Sequence, residues 1–459
     1  AMMPPHIGKT GGESSVRQSN DGMLGAMPVP RLVVTMSLPI MLSMLISAVY
    51  NLVDSVYVAQ YSDEAFLALS YAYPIQMLLV AFCSGIGVGF SAIFSRRLGE
   101  GDQEQAASAV CHGFFLYGLC WLLFLLFALT GAAPFLRLST EDPSVARQGA
   151  QYLLICCGLS IGTCMQFLTE RILQAMGRPA GFMIVQGSGA ILNLILDPIF
   201  IFVLDLGVAG AAAATVIGQI SGALIGFWLV YRLRRQLPIR LRGFRPRGEM
   251  LAEMGRVAAP AVVMQSLSSF MSLGLNQLLT RWSESAVFVL GAYFKLQTFI
   301  FMPIFGISSG LIPILSYNYG SGALRRVSAS VRFGQQFTAV LSLSGALLLS
   351  LLASPLLRSA FRASPEALAM GAPALRIIAL SFFFAGTSII FCSAFQSLGR
   401  SRWSLLVALL RQILLLLPAA ALLLALKPAL VWAAFPLSEL ISCFAAALLY
   451  RRTIQKQLL

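Results

Sequence analysis

Residues 95–101 read SRRLGEG and residues 316–322 read SYNYGSG, an offset of 221 residues within a chain of 459. At the same offset Pro39 returns as Pro260, Gln76 as Gln297, Gly85 as Gly306 and Gly89 as Gly310. QAMGR at 174–178 returns as QSLGR at 396–400, one residue further along. Self-similarity at a fixed spacing marks a duplicated structural unit. What is duplicated is a series of apolar stretches, many longer than the ~18 residues needed to cross a bilayer. Hydrophobic residues make up 58% of the chain and charged residues 11%, against roughly 25% charged in soluble domains. The short alternating strands of an outer-membrane barrel are absent from the pattern.

The apolar stretches fall at 32–58, 66–94, 107–133, 149–175, 181–204 and 208–231, then at 256–280, 286–315, 328–357, 368–395, 403–426 and 429–450. That is six crossings per copy. Because six is even, the second copy enters the membrane in the same direction as the first. The copies are then parallel lobes related by a pseudo-two-fold axis along the membrane normal. The predicted fold is an all-α polytopic membrane protein, with lobes at 31–231 and 254–451 and a linker at 232–253. Residues 1–30, polar and rich in Gly, Pro and Ser, read as a disordered tail without a cleavable signal. Residues 452–459 form a second tail. Pro238, Pro246 and the linker arginines suit a connector rather than a folded domain.

The formal net charge of +14 follows one face of the membrane. Arg96, Arg97, Arg171, Arg178, the linker arginines, Arg325, Arg326, Arg400, Arg402 and Arg451 lie at one end of the spans. Arg137, Arg147, Arg281, Arg358, Arg362 and Lys427 lie at the other. The positive-inside rule places both termini in the cytoplasm. The basic excess therefore serves topology and contact with anionic membrane lipids, and a nucleic-acid partner is not indicated.

Intramembrane charge breaks the symmetry. Asp54 corresponds to Leu275 and Asp197 to Ala419. An aspartate at the centre of a membrane helix costs roughly 2.5–3.5 kcal/mol and is retained where it lines a cavity or binds an ion. Asn51 precedes Asp54 by three residues and Asn193 precedes Asp197 by four, each on one helix face. Pro198 lacks an amide hydrogen and frees the Leu194 carbonyl. This oxygen-rich set suits Na⁺ or a proton, with an interhelical hydrogen bond as the plainer alternative. Glu170 either lines the cavity or pairs with Arg171 or Arg178. Lys295 and Arg411 lie deep in the second copy, placed to face the cleft, bind an anionic group or neutralise a carboxylate across it. The cysteines lie in or beside apolar stretches without metal-type spacing, and His112 stands alone. No nucleophile–base pair or cofactor motif points to an enzyme.

Five segments together carry a family resemblance: NLVDSVYV at 51–58, SRRLGEGD at 95–102, ERILQAMGRP at 170–179, ILNLILDPIFIF at 191–202 and FMPIFGISSGLIPILSYNYG at 301–320. They resemble bacterial multidrug and toxic compound extrusion (MATE) transporters of the MepA branch, over about residues 30–455. The resemblance implies two six-helix lobes around a V-shaped cleft, a monomer in the bacterial cytoplasmic membrane, and export of amphipathic small molecules by H⁺ or Na⁺ antiport. It also implies an ion-coupling site at Asp54, Asn193, Asp197 and Thr215, with no other cofactor, and a bend of span 1 at Pro39. Gln76 and Gln297 join Glu170, Lys295, Arg411 and Asn51 as cavity or substrate candidates. The second-lobe acidic pattern of other branches is unmatched, since span 8 carries Lys295. A lipid-linked saccharide flippase of the same superfamily is the alternative function, and a membrane-embedded enzyme a remote one.

Overall fold

A computed structural model of the chain describes residues 23–233 and 244–455, and the regular elements among them are all helical. Ten helices are long and apolar enough to cross a bilayer: Val29–Tyr61, Asp63–Gly99, Gln103–Thr130, Pro179–Val203, Gly207–Arg232, Gly248–Thr280, Glu284–Gly320, Leu324–Ser359, Ser401–Leu426 and Pro428–Ile454. Two bent pairs complete the set, Pro143–Gly158 with Ile161–Ala175 and Pro365–Ala379 with Phe382–Ser397, each turned by 43° at its break. With each pair counted once there are twelve crossings, numbered here as spans 1 to 12 in chain order. The bent crossings are spans 4 and 10, the same position in each copy.

The loops repeat as faithfully as the bends. Gly101 and Gly322 have φ of +78° and +73°, and Gly177 and Gly399 have +74° and +71°. Only glycine takes this left-handed backbone without cost, so the SRRLGEG and QAMGR segments and their second copies are constrained by the turns they make. Outward, Leu119, Leu122, Leu123 and Leu126 of span 3 form a helical stripe with exposures of 47–60%. A stripe of that kind finds its apolar partner in lipid.

Several boundaries differ from the sequence reading. The tail drawn to residue 30 is structured from Met23, where a one-turn helix Met23–Ala26 buries Leu24; residues 1–22 lie outside the described residues. Span 7 begins at Gly248, inside the stretch drawn as linker, so Glu253 is helical. Residues 234–243 of the linker are not among those described. The last helix runs past 451 as a π-turn over Arg451–Gln455. A short amphipathic helix, Ala132–Ser139, follows span 3, largely in the stretch between the predicted crossings.

The lobes meet at the arginine-rich end through glycines that the repeat singled out. A β-carbon placed on Gly89 would lie 2.9 Å from Ala258 Cβ, and one on Gly310 would lie 2.8 Å from Ser37 Oγ. Gly85 stands likewise against Val262, and Gly306 against Met41. These are two pairs of symmetry-related contacts, spans 2 with 7 and 8 with 1. Small residues permit the helices to approach so closely. Between the lobes at this end Arg97 Nη2 pairs with Glu253 Oε2 at 2.9 Å and Arg96 Nη1 with Glu253 Oε1 at 3.7 Å. Arg96 also lies over the ring of Tyr319 at 5.5 Å. In their other halves the same four spans expose Asn51, Tyr71, Phe270 and Phe299. The lobes are thus joined closely at the arginine-rich end, while toward the opposite end the same spans carry exposed polar and aromatic side chains.

Candidate functional site

Span 5 turns Asn193 and Asp197 onto one face, where they are 3% and 0% exposed. Asn193 Nδ2 donates to Asp197 Oδ1 at 3.0 Å and to Thr215 Oγ1 of span 6 at 3.4 Å. The amide thus bridges the two spans. Asn193 Oδ1 and Asp197 Oδ2 are buried without a hydrogen-bond partner among the described residues, and so is Asp54 Oδ1 on span 1. Each such atom costs about 1–3 kcal/mol if nothing satisfies it. Asp54 and Asp197 lie within electrostatic reach of each other. Among the described residues no Lys or Arg stands within ion-pair distance of either. Asn193, Asp197 and Thr215 thus form one hydrogen-bonded group, with the Asp54 carboxylate in electrostatic reach of Asp197 and no ion pair to either aspartate among the described residues.

Pro198 closes the α-helical part of span 5, and Ile199–Val203 continues it as a π-helix. The missing proline amide changes the hydrogen-bond register rather than ending the span. Beyond it Asp205, at a φ of +52°, accepts a hydrogen bond from Tyr61 Oη at 2.9 Å. That contact ties the end of span 1 to the turn after span 5.

Other predicted residues fall elsewhere. Asn51 shares a face with Asp54 by spacing, but its Nδ2 donates to the Ser47 carbonyl at 2.8 Å and the side chain is exposed. Glu170 is 3% exposed and accepts from Gln166 Nε2 at 2.9 Å, with Arg171 in electrostatic reach but not in direct contact. Gln76 is half-buried on span 2 beside Tyr152, and Gln297 is half-buried on span 8. Lys295 is exposed on span 8. Arg411 does not reach across the cleft: its Nε and Nη2 both donate to Glu439 Oε1 of its own lobe, at 3.0 and 2.9 Å. Span 1 runs as one helix through Pro39. Cys83, Cys120 and Cys164, far apart in sequence, gather with sulfurs within 4.8 Å of one another. His112 Nε2 accepts from the Arg247 amide at 2.8 Å and fastens the end of the linker to lobe one.

Tyr50 was not among the sequence candidates. Its hydroxyl lies in the field of Asp54, Glu170 and Asp197 together. The available signal was its position one helical turn before Asp54, masked because tyrosine is ordinary in an apolar span.

The sequence matches the MatE family over residues 39–199 and 260–422, one match in each lobe. It is 26% identical over 402 residues to the multidrug export protein MepA of Staphylococcus aureus (strain MRSA252), covering 85% of this chain and 86% of that one. It is also 26% identical over 417 residues to the FAD transporter of Shewanella oneidensis, covering 87% and 89%. Among solved structures, an outward-facing multidrug resistance MATE family transporter of the MOP superfamily superposes with a TM-score of 0.89 at 23% identity, covering 95% of this chain and 97% of that one. A fold closed at one end, a carboxylate site in one lobe and family matches in both lobes converge: the chain belongs to the MatE family and is a multi-pass membrane transporter, not an enzyme.

Proposed function

We propose that this transporter exports amphipathic organic compounds in exchange for H⁺ or Na⁺ taken up at Asp54, Asn193, Asp197 and Thr215. The observation that carries this reading is the set of buried, unpartnered oxygens on Asp54, Asn193 and Asp197. An arriving cation would satisfy them. Where membrane helices are interrupted, freed backbone groups commonly serve ions, and the register change after Pro198 lies beside this set. Ion binding would bias the cleft-in and cleft-out arrangements by the difference in its affinity for the two, which is all that any ligand can contribute. The glycine contacts at the arginine-rich end are the ones that must part for the cleft to open there. By the positive-inside rule that end, with both termini, faces the cytoplasm of the bacterial inner membrane.

Spans 2, 7 and 8 expose Tyr71, Tyr73, Phe270 and Phe299 in the open half, a surface suited to flat apolar cations. The test is efflux from proteoliposomes with proton and Na⁺ gradients imposed separately, against cationic dyes and flavin adenine dinucleotide. Dye efflux driven by one of the gradients is the expected result. Dinucleotide transport without dye efflux would assign the protein a different cargo, and transport indifferent to both gradients would remove the antiport reading.

A further inference from the structure

Lobe two holds one acid inside a span. From residue 254 onward the acids are Glu284, Glu366 and Glu439. The first two open helices as first-turn residues, whereas Glu439 lies within span 12. At the offset of 222 that aligns QAMGR with QSLGR, Arg411 corresponds to Gly189 and Glu439 to Ile217, so neither member of the pair has a charged counterpart in lobe one.

In lobe one Gly189 of span 5 packs against Gly218 of span 6, the residue after Ile217. A β-carbon on Gly189 would lie 2.8 Å from the Gly218 carbonyl oxygen, and one on Gly218 would lie 2.6 Å from the Gly189 carbonyl oxygen. Spans 5 and 6 therefore meet backbone to backbone beside Asn193, with no room for side chains. Where spans 11 and 12 meet, lobe two instead accommodates an arginine and a glutamate. Arg411 is carried on a π-turn, Leu410–Leu414, that interrupts span 11. Its guanidinium places Nε and Nη2 on a single carboxylate oxygen, Glu439 Oε1. The other oxygen, Oε2, is buried without a partner among the described residues. Tyr293, Cys392 and Cys443 complete the groups in electrostatic reach, and none of them is a cation.

A carboxylate in a membrane interior keeps its charge only beside a positive one. Asp54 and Asp197 of lobe one form no ion pair with the described residues, so their positive charge must come from solution. Glu439 has its counter-charge covalently attached to the next span. We propose that Arg411 is a tethered cation that holds lobe two permanently in the equivalent of its ion-occupied form, so that exchangeable cations load lobe one alone. Arg411 is thus a positioning residue that sets how many ions the transporter couples. This rests on the reading of lobe one as the ion-coupling half.

The test uses the full-length protein in proteoliposomes, with efflux of a cationic dye driven by the proton or the Na⁺ gradient. Removing both charges together leaves no isolated buried ion. The variant R411M/E439L should therefore keep efflux within about twofold of wild type, with an unchanged ion dependence and ion-to-dye ratio. Arg411→Gln alone leaves Glu439 to take its cation from solution. Its efflux should fall about tenfold or acquire a second ion dependence, and millimolar methylguanidinium should restore it. If R411M/E439L loses ion coupling, the pair itself carries the ion and the proposal is overturned. It is equally overturned if Arg411→Gln matches wild type in rate and ion ratio. Should Arg411→Gln not fold, the double variant still decides. Asp197→Asn measured alongside separates the two readings, because its failure to disturb coupling would remove the lobe-one site whatever the Arg411 variants show.

Discussion

At the scale of single residues, the candidate site is organised by one amide. Asn193 reaches both Asp197 and Thr215, so its removal should cost more than removal of either neutral contact. Thr215→Val deletes the longer, weaker bond at 3.4 Å. A net hydrogen bond is worth about 0.5–1.5 kcal/mol. The ion concentration for half-maximal efflux should rise a few-fold, with the maximal rate retained. Asn193→Ala also strips Asp197 of the hydrogen-bond donor it has among the described residues, at a cost of about 1–3 kcal/mol, and should raise that concentration by tenfold or more. Titrating efflux against the coupling ion in both variants checks the order; equal effects would mean that the amide does not bridge the site.

At the scale of elements, the closed end depends on glycines. A side chain at Gly89 would meet the Met254 carbonyl oxygen 2.6 Å from its β-carbon. Overpacking of this kind costs about 1–3 kcal/mol, and here the cost falls on the closed arrangement alone. Gly89→Leu should therefore widen the distance between spin labels at Glu104 and Arg325, exposed residues at the arginine-rich ends of the two lobes. An unchanged distance distribution would mean that the contact does not govern closure. The Arg97–Glu253 pair bridges the same seam but is partly exposed, at 21% and 30% of the side chains. Such pairs contribute about 0.2–1 kcal/mol. Glu253→Gln should shift the same distances less than Gly89→Leu does, and the difference from wild type should vanish in high salt.

At the scale of the whole molecule, the duplication was legible because both copies obey the same constraints. Crossings are long apolar runs, and Gly101, Gly177, Gly322 and Gly399 each hold a backbone that other residues avoid. Asn193 and Asp197 were legible as a pair because their contact is local, one helical turn apart. Contacts between spans were not. Arg411 could be flagged as buried charge, but its partner sits 28 residues away on another helix, and periodicity says nothing of which faces meet. Asn51 shows the opposite failure. It shares a face with Asp54, yet its side chain bonds backward along its own helix to Ser47. The helix Ala132–Ser139 escaped because eight residues with a polar face are too short to register as a crossing and fall between spans 3 and 4.

The proposed division of labour between the lobes rests on these particulars. Lobe one has buried carboxylates with unpartnered oxygens, and lobe two has a carboxylate neutralised from within. The most direct test of lobe-one coupling is the rate of ion-driven efflux in proteoliposomes for Asp197→Asn, which keeps the shape of the side chain and removes its charge. Efflux lowered by about tenfold or more, equivalent to ~1.4 kcal/mol, with folding and dye binding intact, is the outcome expected. Gradient-driven efflux equal to wild type would contradict it.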